Sequence, residues 1–497
     1  MTSPSSFTSK GNPVRLSDLV RLIPGLSLQG PDRDLKGLAL RGQDAGPGDL
    51  FIALPGARGH GLAWEKEAVD RGAVAVFSDR AGALDVPYLL HSRPRDILAR
   101  LSLGFYGDPQ KSLTLTGVTG TTGKTTTARL IHFILSRRGP AGFLGTTHYQ
   151  VGDEILPSLY TTPEAPLLAA MLRRMADAGC RHAVMEVSSH ALAQNRIEGL
   201  EFQTAVFTNL GRDHLDFHGT PMEYFAAKCR IFDHLVPNGT AVLNAGDPKV
   251  GSIRLPGKNV ITFSLEGPAD ITAPAFRFTE RGVEGTLNIG GAADSFTAPL
   301  FGKHNIANVL AACAALTALG VPAGEIREGL AAFPGVPGRL QRVDLGQKFH
   351  VFVDYAHTPE GFEHILTTAR EVFQNKIITV FGCGGDRDRG KRPLMGKIAG
   401  RLSDIVILTT DNPRSEDPAE ICREISEGVF ASGQQKVLIV LDRAEAIRQA
   451  LLMANPHFVV MLLGKGHETA QLIGDTAVPF SDVKEAQKVL KEILHEA

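Results

Sequence analysis

Residues 117–127 read Gly-Val-Thr-Gly-Thr-Thr-Gly-Lys-Thr-Thr-Thr. The run begins inside the apolar strand pattern SLTLTGVT, and Leu130, Ile131, Ile134 and Leu135 follow at helical spacing. A strand, a Gly-rich turn and a Lys-Thr pair at a helix start form a cradle for phosphate, because backbone N–H groups and the helix N-terminus face the anion. Lys124 is placed to reach the outer phosphates, and Thr125 to set a hydroxyl on Mg²⁺. Gly120, Thr121, Thr122, Gly123 and Thr126 complete the loop. Val118 stands where the common GxxxxGK[ST] spacing has glycine. The loop predicts a bound nucleotide, without distinguishing an enzyme from a switch or a motor.

Further residues suit the same chemistry. MEVSSHAL (185–192) puts Glu186 at the carboxyl end of a buried strand, where open α/β sheets place ligands. A carboxylate there is costly unless it is paired or metal-bound. TNLGRDHLDFHG (208–219) again ends a strand and supplies Asp213, His214, Asp216 and His218, donors that suit Mg²⁺ or Mn²⁺, although some of them serve equally as caps or surface groups. In PMEYFAAKCRIF, Lys228 shares the apolar stripe of its helix with Tyr224, Ile231 and Phe232. A lysine stem lying along such a stripe with its ammonium in water is the ordinary arrangement. A buried lysine would instead have a lowered pKa and a neutral amine able to take up CO₂ as a carbamate.

These residues need a scaffold. The chain has 497 residues, 43% hydrophobic and 21% charged, with a formal net charge of −1. This is globular composition without a field that would recruit nucleic acid or anionic lipid. The five cysteines are scattered, with no CxxC pair, so neither a disulfide framework nor a zinc site is predicted. The N-terminal stretch has no apolar signal core, and no apolar run suffices to span a membrane, so a cytoplasmic protein is expected. Strand and helix signals alternate, predicting α/β domains with parallel sheets. Three domains are expected: a small N-terminal α/β domain (1–97), a central phosphate-loop domain with a parallel sheet (98–337) and a C-terminal Rossmann-like domain (338–497). ITFSLEG, GVEGTLNIG and DSFTAPL, within 260–300, are expected as short antiparallel strands inserted in the central domain. FPGVPGR (333–339) reads as a linker.

The motifs GTTGKTTT, TTPEAP, EVSSHALAQNR, TNLGRDHLDFHG, YFAAKCRIF, GKHNIAN, VPGRLQRV, VDYAHTP, GCGGDRDRGKRPLMG, TDNPRSEDP and LLGKGHE run from 120 to 468 in one order. That set resembles the Mur ligases. The resemblance implies an ATP-dependent amide ligase of peptidoglycan precursor synthesis, acting through an acyl phosphate, with two Mg²⁺ ions. It implies that Lys124 and Thr125 handle the triphosphate, that Glu186 helps hold one Mg²⁺, and that His214 and a carbamylated Lys228 hold the second. Asn305 and Asn308 match positions near the nucleotide, and Arg339 and Asp354 would close on ATP from the third domain. Gly42, Thr161, Thr162, Ser188, Gln194 and Arg196 would contact UDP-N-acetylmuramoyl-L-alanyl-D-glutamate. Here the first domain departs from the family: its usual Asp-Ser-Arg stands as Arg41, Gly42 and Gln43, so backbone contacts are expected to replace those of the serine.

TDNPR (410–414) follows the strand DIVILT, and by resemblance this stretch selects the amino acid to be added. Asp411, Asn412, Pro413, Arg414, Arg387, Gly464 and Glu468 are the expected contacts. An arginine matches the distal carboxylate of meso-2,6-diaminopimelate, whereas lysine would leave it facing no anion. Lysine addition, a folate polyglutamate synthetase and a nucleotide-dependent switch are the weighed rivals; the last lacks any use for the metal cluster or the third domain. A monomer without nucleic-acid or membrane partners is expected.

Overall fold

A computed structural model describes residues 14–56 and 59–496. The polar N-terminal stretch, residues 1–13, lies outside them. The chain forms two compact units: one built from residues up to Pro274 with Thr286–Asp294 and Ala307–Leu330, the other from Ala275–Gly285, Ser295–Ile306 and Ala331 onward.

Among the described residues, the first unit holds two large sheets beside two short two-stranded ones. The N-terminal one has the order Ser27–Gln29, Tyr88–Leu90, Ala75–Ser78, Asp49–Ile52, Gly37–Ala39, and all but its first pair are parallel. Its central strands Asp49–Ile52 and Ala75–Ser78 are buried because they lie beneath helices: Leu50, Ile52, Ala75 and Phe77 pack with Leu16, Leu19, Leu98 and Leu101.

As far as Asn259–Ser264, the central sheet runs Glu154–Leu156, Tyr149–Val151, Ala141–Leu144, His182–Glu186, Thr114–Thr119, Phe202–Phe207, Leu235–Asn244, Asn259–Ser264, and it continues beyond that strand. From Ala141–Leu144 onward these pairs are parallel. The ITFSLEG segment is therefore not an antiparallel insertion. Asn259–Ser264 extends the central sheet in parallel with Leu235–Asn244, because the intervening residues cross back before pairing instead of closing a hairpin. Thr114–Thr119 sits mid-sheet, with Val118 in register with Glu186 and Thr119 with Phe207. That register brings three strand ends to one edge, at a point where the chain order reverses and ligands bind.

The second unit contains a sheet of order Gln341–Arg342, His350–Asp354, Phe458–Leu463, Lys376–Phe381, Ile405–Leu408, Val437–Ile439, parallel except at its first pair. Apolar clusters cover both faces, so its strands read as continuous hydrophobic runs. The fully buried Arg443 donates to both oxygens of the equally buried Asp482, at 2.7 Å each, and to the Leu463 carbonyl at 3.0 Å. That pair ties two helices to the carboxyl end of the strand Phe458–Leu463. No helix of the described residues is long and apolar enough to cross a membrane.

Candidate active site

The strand Thr114–Thr119 ends in the phosphate loop, and the helix Lys124–Ser136 starts straight after it. Gly120 and Gly123 both have positive φ, 148° and 82°. A Cβ at Gly120 would run into the Thr208 hydroxyl, and one at Gly123 into the Asn308 amide. Asn308 thus packs on the loop and belongs to the same unit. Asn209 braces the loop's outer rim, accepting from the Thr122 amide and hydroxyl at 3.0 and 3.1 Å. Gly120→Ala is expected to destabilise the fold by about 1–3 kcal/mol, through backbone strain and the clash with Thr208. A shift of the denaturant midpoint measures it, and an unchanged midpoint would show that the loop relaxes freely.

Glu186 is fully buried, and both of its carboxylate oxygens accept hydrogen bonds. It accepts from the Thr125 hydroxyl at 2.9 Å, the Thr146 amide at 2.8 Å and the Thr146 hydroxyl at 3.1 Å. Burial pushes its pKa up, while the Thr146 bonds, the Lys124 charge and Thr125 pull it down. Lys124 itself donates to the Gly120 and Thr121 carbonyls at 2.8 and 3.0 Å.

Lys228 does not adopt the ordinary solvated arrangement. Its residue is 1% exposed, and its Nζ donates to the Gly120 carbonyl at 2.8 Å and lies 4.6 Å from the Tyr224 ring centre. Desolvation holds the ammonium well below its usual pKa, nearby Lys124 adds to the effect, and Asp213 opposes it. Two lysines thus address one loop carbonyl. Tyr224 also bonds Thr121 through its hydroxyl at 3.2 Å, so the helix Pro221–Cys229 is tied to the loop twice.

Of the His/Asp run after the strand Phe202–Phe207, His214 has left-handed backbone (φ 51°) and leaves about half its side chain exposed beside Asp213. His218 bonds the Ser189 hydroxyl at 3.0 Å, and His190 packs on the rings of His214, Phe217 and His218. No group of three or more His, Cys, Asp or Glu side chains able to hold a metal occurs among the described residues. The four residues of that run do not converge as a ligand set.

Thr161, Thr162, Ser188, Gln194 and Arg196 form one connected network. Thr162 donates to the Glu186 carbonyl at 2.8 Å and accepts from the Ser188 amide at 3.0 Å. Ser188 caps the helix Ser189–Ala193 through its hydroxyl. Arg196 donates to Gln194 at 2.7 and 3.0 Å and to the Thr162 carbonyl at 3.1 Å, and pairs with Glu164 at 2.8 Å. Thr161 bonds Thr146 at 3.0 Å, which links this network to Glu186. Gly42 lies in the N-terminal sheet region, where a Cβ would press on the Trp64 carbonyl; Arg41 is engaged by Asp44.

In the second unit, Asp354 is buried and pins the linker, accepting from the Leu340 and Ala356 amides at 2.7 Å each. Burial raises its pKa against the pull of Arg339, whose guanidinium lies 5.1 Å from the Tyr355 ring centre. Asn305 donates to the Phe301 carbonyl at 2.8 Å. The Gly382–Gly385 turn meets the DNPR loop. A Cβ at Gly384 would lie 3.0 Å from Arg414 Nη1 and 3.8 Å from Arg387 Cγ, so the two predicted arginines meet beside one glycine. Arg414 donates to the Gly385 carbonyl at 2.7 Å and has left-handed backbone (φ 50°). That backbone is held by the hairpin Ala470–Pro479: the Arg414 amide donates to Leu472 at 3.0 Å, and Gly474 donates back at 2.9 Å. Pro413 is buried beside Asn412, and Asp411 Oδ2 faces Gly464. Asn412 donates to Glu468 at 2.9 Å.

Thr146, Asn209, Glu164 and Lys465 were not singled out from the sequence. Thr146 and Asn209 stand just past apolar strands, at the sheet edge that carries the loop, which was their available signal.

Three family descriptions match the chain: "Mur ligase family, catalytic domain" over 34–106, "Mur ligase middle domain" over 118–316 and "Mur ligase, glutamate ligase domain" over 338–466. The chain is similar to the UDP-N-acetylmuramoyl-L-alanyl-D-glutamate–2,6-diaminopimelate ligase of Gloeobacter violaceus, 43% identical with 93% of this chain and 95% of that one covered. The ligase of the same name from Geobacillus kaustophilus is 41% identical, with 96% and 100% covered. A solved structure of a ligase of that name superposes with a TM-score of 0.69 at 31% identity, covering 97% of this chain and 100% of that one. A Mycobacterium tuberculosis folylpolyglutamate synthase shares the fold alone, with a TM-score of 0.60 at 19% identity over 79% of this chain and 94% of that one.

Proposed function

The chain belongs to the Mur ligase family, with its three-domain α/β architecture, and from that premise we propose that it joins meso-2,6-diaminopimelate to UDP-N-acetylmuramoyl-L-alanyl-D-glutamate at the expense of ATP. The observation that carries the choice of amino acid is the meeting of Arg387 and Arg414 beside Gly384. A guanidinium fork matches a distal carboxylate, which diaminopimelate has and lysine lacks. We set the domain boundaries after residues 97 and 337.

In this reading a carboxylate oxygen of the glutamyl residue attacks the γ-phosphorus and ADP departs. The diaminopimelate amine then attacks the acyl carbon, inorganic phosphate leaves with the C–O bond pair, and the amine gives up a proton. Lys124 and the loop amides hold the phosphates. Thr162, Ser188, Gln194 and Arg196 hold the acceptor peptide, and the Arg196–Glu164 pair keeps the guanidinium in place. The donor set fits Mg²⁺: the Thr125 hydroxyl and the Glu186 carboxylate offer oxygens at the end of the phosphate loop. His214 and a carbamate on Lys228 are the proposed holders of a second ion. When bound, the ions neutralise charge between the phosphates and on the reacting carboxylate. The buried, deprotonation-prone Lys228 supports that modification, because only the neutral amine adds to CO₂. ATP and nucleotide-linked precursors are cytosolic, so the reaction is placed in the cytoplasm. A single chain carries every residue named, so a monomer suffices.

The test is phosphate release with ATP, Mg²⁺ and UDP-N-acetylmuramoyl-L-alanyl-D-glutamate, with meso-diaminopimelate or lysine added in parallel. Turnover is expected with diaminopimelate, at a kcat/KM roughly 10⁴-fold above that for lysine. Preference for lysine would overturn the role of the arginine pair, and release independent of both acceptors would overturn the ligase reading.

A further inference from the structure

Lys465 packs against Asn412 of the DNPR loop. The Lys465 side chain is wholly buried, yet all three of its N–H groups are engaged. They donate to Glu468 Oε2 at 2.8 Å, to Asn412 Oδ1 at 3.1 Å and to the Ala470 carbonyl at 2.8 Å. The Leu472 amide also donates to Asn412 Oδ1, at 3.0 Å, which fixes the orientation of the Asn412 amide. Asn412 Nδ2 then points to Glu468 Oε2 at 2.9 Å. One oxygen of Glu468 and one face of Asn412 are therefore consumed internally. Glu468 Oε1 and the second N–H of Asn412 remain as an acceptor and a donor.

We infer that Lys465 is the positioning residue of the amino-acid pocket: it orients Asn412 and Glu468 so that they present one donor and one acceptor to the carboxylate and ammonium of an incoming zwitterionic amino acid. The inference rests on the amino acid binding at the DNPR loop, as proposed above. Lys465 does not touch the ligand, because it is covered by the side chains it holds. An ammonium brings three donors to this point, where a neutral amide would bring two. Asp411, which is buried, and Glu468, whose side chain is 30% exposed, bring two carboxylates close to Lys465, and Arg443 is already committed to Asp482. Lys465 supplies the remaining positive charge, and its three donors are directed at three different elements of the pocket wall.

Lys465→Met removes the ammonium while keeping the stem. In the full-length enzyme, steady-state phosphate release is expected to show KM for diaminopimelate raised ~10- to 100-fold, as Glu468 and Asn412 lose their fixed geometry. KM for ATP and for the nucleotide-linked dipeptide should move less than about twofold, since those ligands gain nothing from this corner. Adding Glu468→Gln to Lys465→Met should cost much less than the two single effects combined, because the lysine acts through that carboxylate. Lys465→Gln, which keeps a buried donor, should recover part of the loss and serves as the readout if the Met variant fails to fold. Arg414→Asn is the control. If it raises KM for diaminopimelate while Lys465→Met and Lys465→Gln do not, the positioning role is overturned and the pocket stands. If neither Arg414→Asn nor the Lys465 variants change it, the amino acid binds elsewhere and the underlying reading falls. A uniform rise in all three KM values would overturn the positioning role in favour of a purely structural one.

Discussion

Lys228→Ala is expected to lower ligation by roughly 10³-fold or more, the loss that follows when charge stabilisation at a phosphoryl-transfer site is removed. Lys228 lies under the phosphate loop with its Nζ on the Gly120 carbonyl, so the defect should appear in kcat and not in substrate affinity alone. If the amine works as a carbamate, a short-chain carboxylic acid should restore part of the activity of the alanine variant by supplying the missing oxygens. No rescue by any such acid would overturn the carbamate and leave a plain ammonium role. The same residue should be a stability liability. Its pKa is depressed in the folded chain, so between that value and the ordinary lysine value the unfolded chain binds the extra proton. Stability therefore rises as pH increases through this window and falls as pH drops towards the folded value. Lys228→Met should remove that dependence and raise stability by about 0.5–2 kcal/mol at neutral pH while activity is lost. Thermal unfolding across pH reads both effects. A Met variant less stable than the parent would show that the bond to Gly120 outweighs the desolvation of the ammonium.

The second large effect concerns Arg414. Arg414→Asn is expected to lower kcat/KM for diaminopimelate by roughly 10³-fold and to shrink its advantage over lysine in proportion. Asparagine is the informative replacement because it tolerates the left-handed backbone that Arg414 adopts (φ 50°), so the loss reports the missing guanidinium and not a collapsed loop. Arg414→Lys should recover little, since an ammonium cannot reproduce the bidentate fork. Unchanged discrimination in Arg414→Asn would assign the distal carboxylate to Arg387 alone.

How much of this was legible in the sequence follows from how local each signal is. The phosphate loop was, because strand, glycines and Lys-Thr are contiguous and their roles are set by backbone geometry. Glu186 was, because a carboxylate ending an apolar strand has few explanations. Lys228 was only half legible: helical spacing placed it on the apolar stripe, but a lysine stem commonly lies there with its head in water. What buries it is the neighbouring loop, whose approach is a tertiary event. The parallel pairing of the strand Asn259–Ser264 was not legible, because a short apolar run carries no sign of its partner's direction. Lys465 was invisible for a similar reason: in LLGKGHE a lysine between glycines reads as a loop charge, and the partner that gives it a role, Asn412, lies 53 positions away.

The hold of the hairpin Ala470–Pro479 on the Arg414 backbone has a consequence for protein engineering. The Arg414 backbone is held by Leu472 and Gly474, neither of them among the proposed ligand contacts, so under that proposal selectivity would drift through loop-length variation in the hairpin. A library confined to 470–479 would then be a way to retune the accepted amino acid. A small molecule wedged behind the hairpin would act on selectivity without resembling any substrate.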